Sequence, residues 1–281
     1  MESDWKDWIG RTEVRSDQVS AAPVAALAAT LDRDDPAPKD GDELPLLWHW
    51  LYFLPVYRQS DVGPDGHAKR GGFLPPVPLP RRMWAGGRLT FRAPLRIGER
   101  IERKSHIVDV TSKQGRTGPL VFVVVRHEIS GAGGVAIVEE HDIVYREAPK
   151  PEEGAATPAA APADAAWSRE IRPDPVLLFR YSALTFNGHR IHYDRRYVTE
   201  TEGYPGLVVH GPLIATLLTD LLRRRRPDAR VAAFWFRAVG PLFDTAPFFV
   251  RGQPSGEGTS VRLWAANAAG GLAMDATATL T

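Results

Sequence analysis

Cysteine is absent from all 281 residues, and its absence excludes disulfides, cysteine-ligated zinc and a thiol nucleophile. An excess of one charge is missing as well. With 35 Lys and Arg against 34 Asp and Glu the formal charge is +1, so no global field attracts nucleic acid or an anionic membrane, and neither is an expected partner. Long apolar runs are also lacking: Leu120 to Val125 is among the longest, and Pro119 and Arg126 bound it. Such a run is far too short to cross a bilayer, so no membrane span is expected. Met1 to Arg11 lacks the apolar stretch of a signal peptide, which makes the expected location cytoplasmic. What the chain does contain is core material, with 43% hydrophobic residues and 8 Trp. Its length suits two modules of about 120 residues each.

The run from Ala148 to Ala166, APKPEEGAATPAAAPADAA, is rich in Pro and Ala and holds no aromatic residue. It cannot bury a core and reads as a linker. The expected organisation is an N-terminal unit over 1–147, a linker over 148–166 and a C-terminal unit over 167–281. The two units echo one another. Phe91-Arg92-Ala93-Pro94-Leu95 matches Phe236-Arg237-Ala238-Val239-Gly240-Pro241-Leu242 with a two-residue insertion, and Gly133-Gly134-Val135-Ala136 matches Gly270-Gly271-Leu272-Ala273. Each Gly-Gly sits between strand-like runs, where a hairpin turn belongs. Two matches in the same order suggest a duplication.

Strands are expected at 88–92, 101–111, 120–130 and 135–146 in the first unit, and at 231–238, 248–252, 259–266 and 272–280 in the second. Each unit is therefore an antiparallel sheet. Pro212 to Leu222 reads as a helix: Leu213, Leu217 and Leu221 recur at four-residue spacing beside Ile214 and Leu218, and Pro212 suits a first turn. A helix apolar nearly all round must be buried. A curved antiparallel sheet around a buried helix is the hotdog arrangement, so the expected fold is α+β, a double hotdog with two sheets each wrapped around a central helix.

The segment Tyr181-Ser182-Ala183-Leu184-Thr185-Phe186-Asn187-Gly188-His189-Arg190-Ile191-His192-Tyr193-Asp194, followed by Gly206-Leu207-Val208-Val209-His210-Gly211-Pro212, resembles the signature of R-specific enoyl-CoA hydratases and MaoC-like dehydratases. Lys69-Arg70-Gly71-Gly72-Phe73-Leu74-Pro75-Pro76 and Arg81-Arg82-Met83-Trp84-Ala85-Gly86-Gly87 extend the likeness to the double hotdog hydratases of branched C5 dicarboxylic CoA esters. The resemblance implies a hydro-lyase that adds water to an α,β-unsaturated CoA thioester, such as mesaconyl-C4-CoA or itaconyl-CoA, giving citramalyl-CoA. No cofactor is expected, and no metal, since His189 and His192 at i, i+3 without another nearby ligand are weak evidence for one; further pairing into a homodimer is a habit of the fold.

One position departs from the pattern. The common motif has Asp five residues before its essential His, and here that position is Asn187. An amide cannot act as a base but can hold a water, so proton transfer falls to His192, whose ordinary pKa suits general acid/base work. His189 either shares the proton traffic or orients the water. The backbone N–H of Gly211, at a helix start, is placed to face the thioester oxygen. Tyr181, Arg190, His210, Arg82 and Trp84 are the candidate substrate contacts. Arg81 or Arg82 is the nominee for a free carboxylate, while Arg180, Arg190 and Arg195 compete with Arg223 to Arg226 for the CoA phosphates. Asp194 is expected to cap a short helix beginning at Arg195. An ungapped alignment of Val19-Ser20-Ala21-Ala22 with Tyr181-Ser182-Ala183-Leu184 sets Ala25, Leu27 and Thr30 opposite Asn187, His189 and His192, leaving one site per chain. A thioesterase and a non-catalytic acyl-binding protein are the alternatives on the same fold.

Overall fold

Apolar residues at every second position make strands the main regular structure of the chain. The computed structural model describes residues 5–115, 118–147 and 158–281. In the N-terminal half, β1 (Thr12–Gln18) and α1 (Ala21–Thr30) are followed by a long irregular stretch and then by β2 (Arg81–Phe91), β3 (Arg100–Gly115), β4 (Gly118–Gly131) and β5 (Gly134–Arg146). The C-terminal half repeats the series with β6 (Trp167–Ile171), α2 (Pro175–Leu184), α3 (Gly211–Arg225), β7 (Val231–Ala238), β8 (Phe248–Pro254), β9 (Ser260–Asn267) and β10 (Leu272–Leu280). β4 shows the cause: burial alternates from Val121 through Val123, Val125 and His127 to Ile129, as a strand with one face on the core requires.

The ten strands of the described residues join one antiparallel sheet, in the order β1-β3-β4-β5-β2-β7-β10-β9-β8-β6. The order is symmetric about its centre, each strand of one half standing where its counterpart stands in the other. β2 and β7 close the two halves into a single sheet, with Gly87 opposite Phe236 and Leu89 opposite Phe234. A β-carbon on Gly87 would meet the Phe236 ring at 2.8 Å, so this join needs glycine. The architecture is the expected α+β double hotdog, corrected in two respects: the two sheets are joined into one, and the expected central helix forms in one half.

The internal repeat is tighter than its sequence suggests. The N–H groups of Arg92 and Ala93 both donate to Ala136, and those of Val239 and Gly240 both donate to Ala273. That sets Pro94 and Leu95 on Pro241 and Leu242 with no insertion; it is the Phe-Arg match that lies two residues out of register. α1 and α2 likewise correspond as whole helices, each directly following its edge strand. Asp32 and Phe186, in the turns after them, share a left-handed backbone with φ of 53° and 49°. On that correspondence Arg33, Asp35 and Pro38 face Asn187, His189 and His192, which corrects Ala25, Leu27 and Thr30.

Among the described residues, only the C-terminal half has a long central helix. Every residue of α3 from Leu213 to Leu222 is buried, and each of its leucines contributes about 2 kcal/mol by leaving water. In the N-terminal half the place is taken by irregular chain and a 3-10 turn, Trp48–Leu51, whose Trp48, His49 and Leu51 are buried. Residues 148–157 of the expected linker lie outside the described residues. Of the rest, Ala160 bridges to Gly271, and the N–H of Ala161 donates to Gly270. No helix among the described residues is long and apolar enough to cross a membrane.

Candidate active site

The loop between α2 and α3 is fixed at each turn by its own polar groups. Asp174 caps α2 by accepting the Leu177 N–H at 2.8 Å. The helix ends as Phe186 takes a left-handed φ of 49°, which lets the Asn187 N–H reach back to the Ser182 carbonyl at 2.8 Å. The Asn187 side-chain oxygen then accepts the His189 N–H at 3.0 Å, an Asx turn. A 3-10 turn, Arg190–His192, follows, and Asp194 accepts the Tyr197 N–H at 3.0 Å, capping the next helical turn as its position suggested.

These turns gather a row of imidazoles. His192 stacks on His210 with ring centroids 3.7 Å apart, and His189 meets His192 edge-on at 5.4 Å. His192 Nδ1 lies 2.7 Å from the Val208 carbonyl oxygen. A carbonyl only accepts, so Nδ1 carries the proton and Nε2 presents a lone pair. Burial, then the neighbouring His189, lowers the His192 pKa to about 3; burial, then His67, lowers that of His189 to about 3. Both rings rest neutral. His210 is fully buried, bonds Ser182 Oγ through Nε2 at 2.8 Å, and has no partner for Nδ1 among the described residues.

The N-terminal half supplies the opposite wall, which the sequence did not disclose. His67 lies against His189 with ring centroids 4.0 Å apart. Its Nδ1 donates to Asp65 at 3.1 Å, and its backbone N–H donates to the same carboxylate at 3.0 Å. The signal was there in Pro64-Asp65-Gly66-His67, an Asp-Gly turn followed directly by a histidine, but nothing in the sequence ties that turn to residues more than a hundred positions away. The loop is locked on by the Arg190 N–H, which donates to the Asp65 carbonyl at 2.9 Å, and by the Arg190 guanidinium, which donates to Pro64 at 2.9 Å.

Arg82 brings a positive charge into the same space. It donates to the Tyr145 hydroxyl, and it acts electrostatically on both His67 and His189. Donor atoms of Asp65, His67 and His189 lie within 4.8 Å of one another, but the Asp65–His67 hydrogen bond and the guanidinium beside both imidazoles favour protons over a cation there.

The remaining nominees fall in different places. Gly211 opens α3 with His210 before it, and the N–H groups of a first turn have no intrahelical acceptor. Tyr181 is buried in α2, edge-on to His210 and hydrogen-bonded to Thr216. Arg190 is committed to Asp194, Pro64 and the Tyr197 ring. Trp84 stacks on His141 at 4.0 Å and donates to the Gly86 carbonyl. Arg81 is paired with Glu202 at 3.1 Å and bonds the Tyr204 hydroxyl. In the arginine run at the end of α3, Arg223 pairs with Asp35, and Arg224 with Asp220 and the Leu31 carbonyl, while Arg225 and Arg226 are exposed.

Known proteins resemble this chain over nearly its whole length. The family model described as hydroxyacyl-thioester dehydratase type 2 matches residues 47–244. The chain is 49% identical to mesaconyl-C4-CoA hydratase of Chloroflexus aurantiacus, over 99% of this chain and 98% of that protein. It is 28% identical to the mitochondrial hydroxyacyl-thioester dehydratase type 2 of Schizosaccharomyces pombe, over 83% and 87%. Among solved structures, HtdX of Mycobacterium tuberculosis has a TM-score of 0.67 at 20% identity, covering 96% of this chain and 100% of its own. A MaoC-like dehydratase from Phytophthora capsici has a TM-score of 0.69 at 16% identity, covering 96% and 95%. At those identities the structural likeness speaks for the fold.

Proposed function

As the chain belongs to the hydroxyacyl-thioester dehydratase type 2 family and is a hydro-lyase of the double hotdog type, we propose that it hydrates mesaconyl-C4-CoA at the site around His192. The observation that carries this reading is the lone pair on Nε2 of a buried histidine whose tautomer is fixed by the Val208 carbonyl. In hydration, His192 Nε2 takes a proton from water as the oxygen bonds Cβ. The electron pair of the double bond moves to the thioester oxygen, and the proton returns from His192 to Cα. Asn187 positions the water, and His189, whose N–H holds the Asn187 oxygen, orients that amide. The Gly211 N–H stabilises the enolate-like oxygen, a donor of a kind worth about 3 to 4 kcal/mol.

The other contacts support this arrangement. His210 backs the His192 ring, Tyr181 packs on His210, and Arg190 ties the N-terminal loop to the site. A cytoplasmic setting fits the cysteine-free composition. A homodimer would use the exposed Val176 and Phe179 of α2, and sedimentation of Phe179→Glu beside the wild type tests it.

The function itself is tested by the loss of enoyl thioester absorbance with mesaconyl-C4-CoA, itaconyl-CoA and crotonyl-CoA, with free CoA followed separately. The expected result is hydration without CoA release. Release of CoA, or binding without reaction, overturns the reading.

A further inference from the structure

Resting on the hydratase reading, we infer that Arg82, reached across the sheet join by the acyl chain, is the anchor for the free carboxylate of the substrate, with His67 on its flank. A guanidinium beside a catalytic site needs an anion to balance it, and Arg82 has no carboxylate partner among the described residues. Its sequence neighbour is the contrast: Arg81 is neutralised by Glu202 at 3.1 Å. Arg82 is kept available by an uncharged group, the Tyr145 hydroxyl, which stands opposite it on β5.

The Asp65 carboxylate beside His67 is itself occupied by the ring and backbone N–H groups of that histidine. Arg70 adds a second positive charge that acts on both His67 and Tyr145. The space between Arg82 and His189 is thus rich in cationic and donor groups and short of anions.

The position suits the chemistry of a branched C5 dicarboxylic ester. In mesaconyl-C4-CoA the free carboxylate hangs on Cβ, the carbon that water attacks. An anchor for it must therefore adjoin the water-activating residues. Arg82 acts electrostatically on both His67 and His189, whose tilted rings have centroids 4.0 Å apart, and His189 in turn meets His192 edge-on. A carboxylate held there by the planar guanidinium fork sets Cβ towards His192 and Asn187. Discrimination follows, because an ester without the carboxylate leaves the guanidinium desolvated and unpaired.

The test compares mesaconyl-C4-CoA with crotonyl-CoA, which carries the same CoA and no free carboxylate. For Arg82→Gln, kcat/KM on mesaconyl-C4-CoA is expected to fall about 10- to 150-fold, while that on crotonyl-CoA stays within about threefold. Arg82→Lys, which keeps the charge and loses the fork, should fall between. An equal loss on both esters assigns Arg82 to CoA and overturns the inference. Independently of any variant, the wild type should lose a similar factor on mesaconyl-C4-CoA whose free carboxylate is methylated, and equal rates on the two would also overturn it. If the wild type hydrates none of these esters, the hydratase reading itself has failed; if it hydrates crotonyl-CoA and the Arg82 variants discriminate no differently, only the carboxylate anchor has.

Discussion

Gly66 and Gly188 bring the two halves of the chain into backbone contact at the site: a β-carbon on Gly66 would fall 1.8 Å from the Gly188 carbonyl oxygen. Gly66 also has φ of +89°, so an L side chain is disfavoured twice, by conformation and by the facing backbone. The loop carrying Asp65 and His67 must lift away to admit one. Gly66→Ala should therefore lower kcat/KM by about 100-fold, since small displacements of positioning groups cost that much. Gly41→Ala is the control, with the same φ of +89° and open space around its β-carbon; it should lose about 1 kcal/mol of stability and keep its activity. Paired steady-state kinetics and urea unfolding of the two variants check the prediction.

His192 and Asn187 separate chemistry from loop geometry. His192→Ala should remove about 10²- to 10⁴-fold of kcat with the fold intact. Asn187→Ala also loses the bond that holds the His189 N–H, so its loss should combine kcat with a lower thermal midpoint. Asn187→Asp keeps an oxygen for that bond, and its thermal midpoint should stay at the wild-type value. Kinetics beside thermal melts of the three variants distinguish these outcomes.

Strands with an alternating apolar face were legible in the sequence, as was α3, because burial alone dictates their pattern. β1 and β6 were not. Both are edge strands with a single neighbour, and in β1, TEVRSDQ, the only aliphatic residue, Val14, faces solvent. Their strand character comes from pairing with β3 and β8, a tertiary fact. α1 and α2 are short and have weak faces, and they are defined by what they pack on. The site divides in the same way. Asn187, His189 and His192 lie close in sequence and could be read as a group, whereas His67, Asp65 and Arg82 join them only through the meeting of the two halves. Arg82 over Arg81 is likewise a structural choice, made by Glu202.

The buried imidazoles predict acid lability. His192, His210 and His127 are all held below the ordinary histidine pKa, chiefly by burial, so they are neutral when folded and take up protons on unfolding below about pH 6.5. Their stabilising contribution is complete above that pH. It is lost as pH falls from about 6.5 towards the folded value, about 3 for His192, at about 1.4 kcal/mol per pH unit for each ring. Glu139, buried and held low by His141 and His49 against its own desolvation, adds a loss in the same direction once pH falls below the ordinary Glu value. Urea midpoints should therefore be level between pH 7 and 8 and drop steeply between pH 6 and 5. A midpoint independent of pH over the latter range would mean that these rings are charged in the folded protein.

Asp220 joins the halves from the far end of α3. It is 4% exposed and receives Arg33 from the N-terminal half together with Arg169 and Arg224. The arginines in turn reach Asp35 and the Leu31 carbonyl, so one buried carboxylate organises cations from both sides of the molecule. Removing it leaves those charges without their shared partner, and the cost of breaking a buried ion pair from one side is about 3 to 5 kcal/mol. Asp220→Ala should fall in that range, while Glu200→Ala, which removes an exposed pair with Arg196, should change stability by less than about 1 kcal/mol. Because Asp220 lies at the opposite end of α3 from Gly211, Asp220→Ala should lose stability while the folded fraction keeps its kcat. Equilibrium unfolding with active-site-normalised kinetics measures both, and a fall in kcat at full folding would show that the network also sets the position of the α3 start.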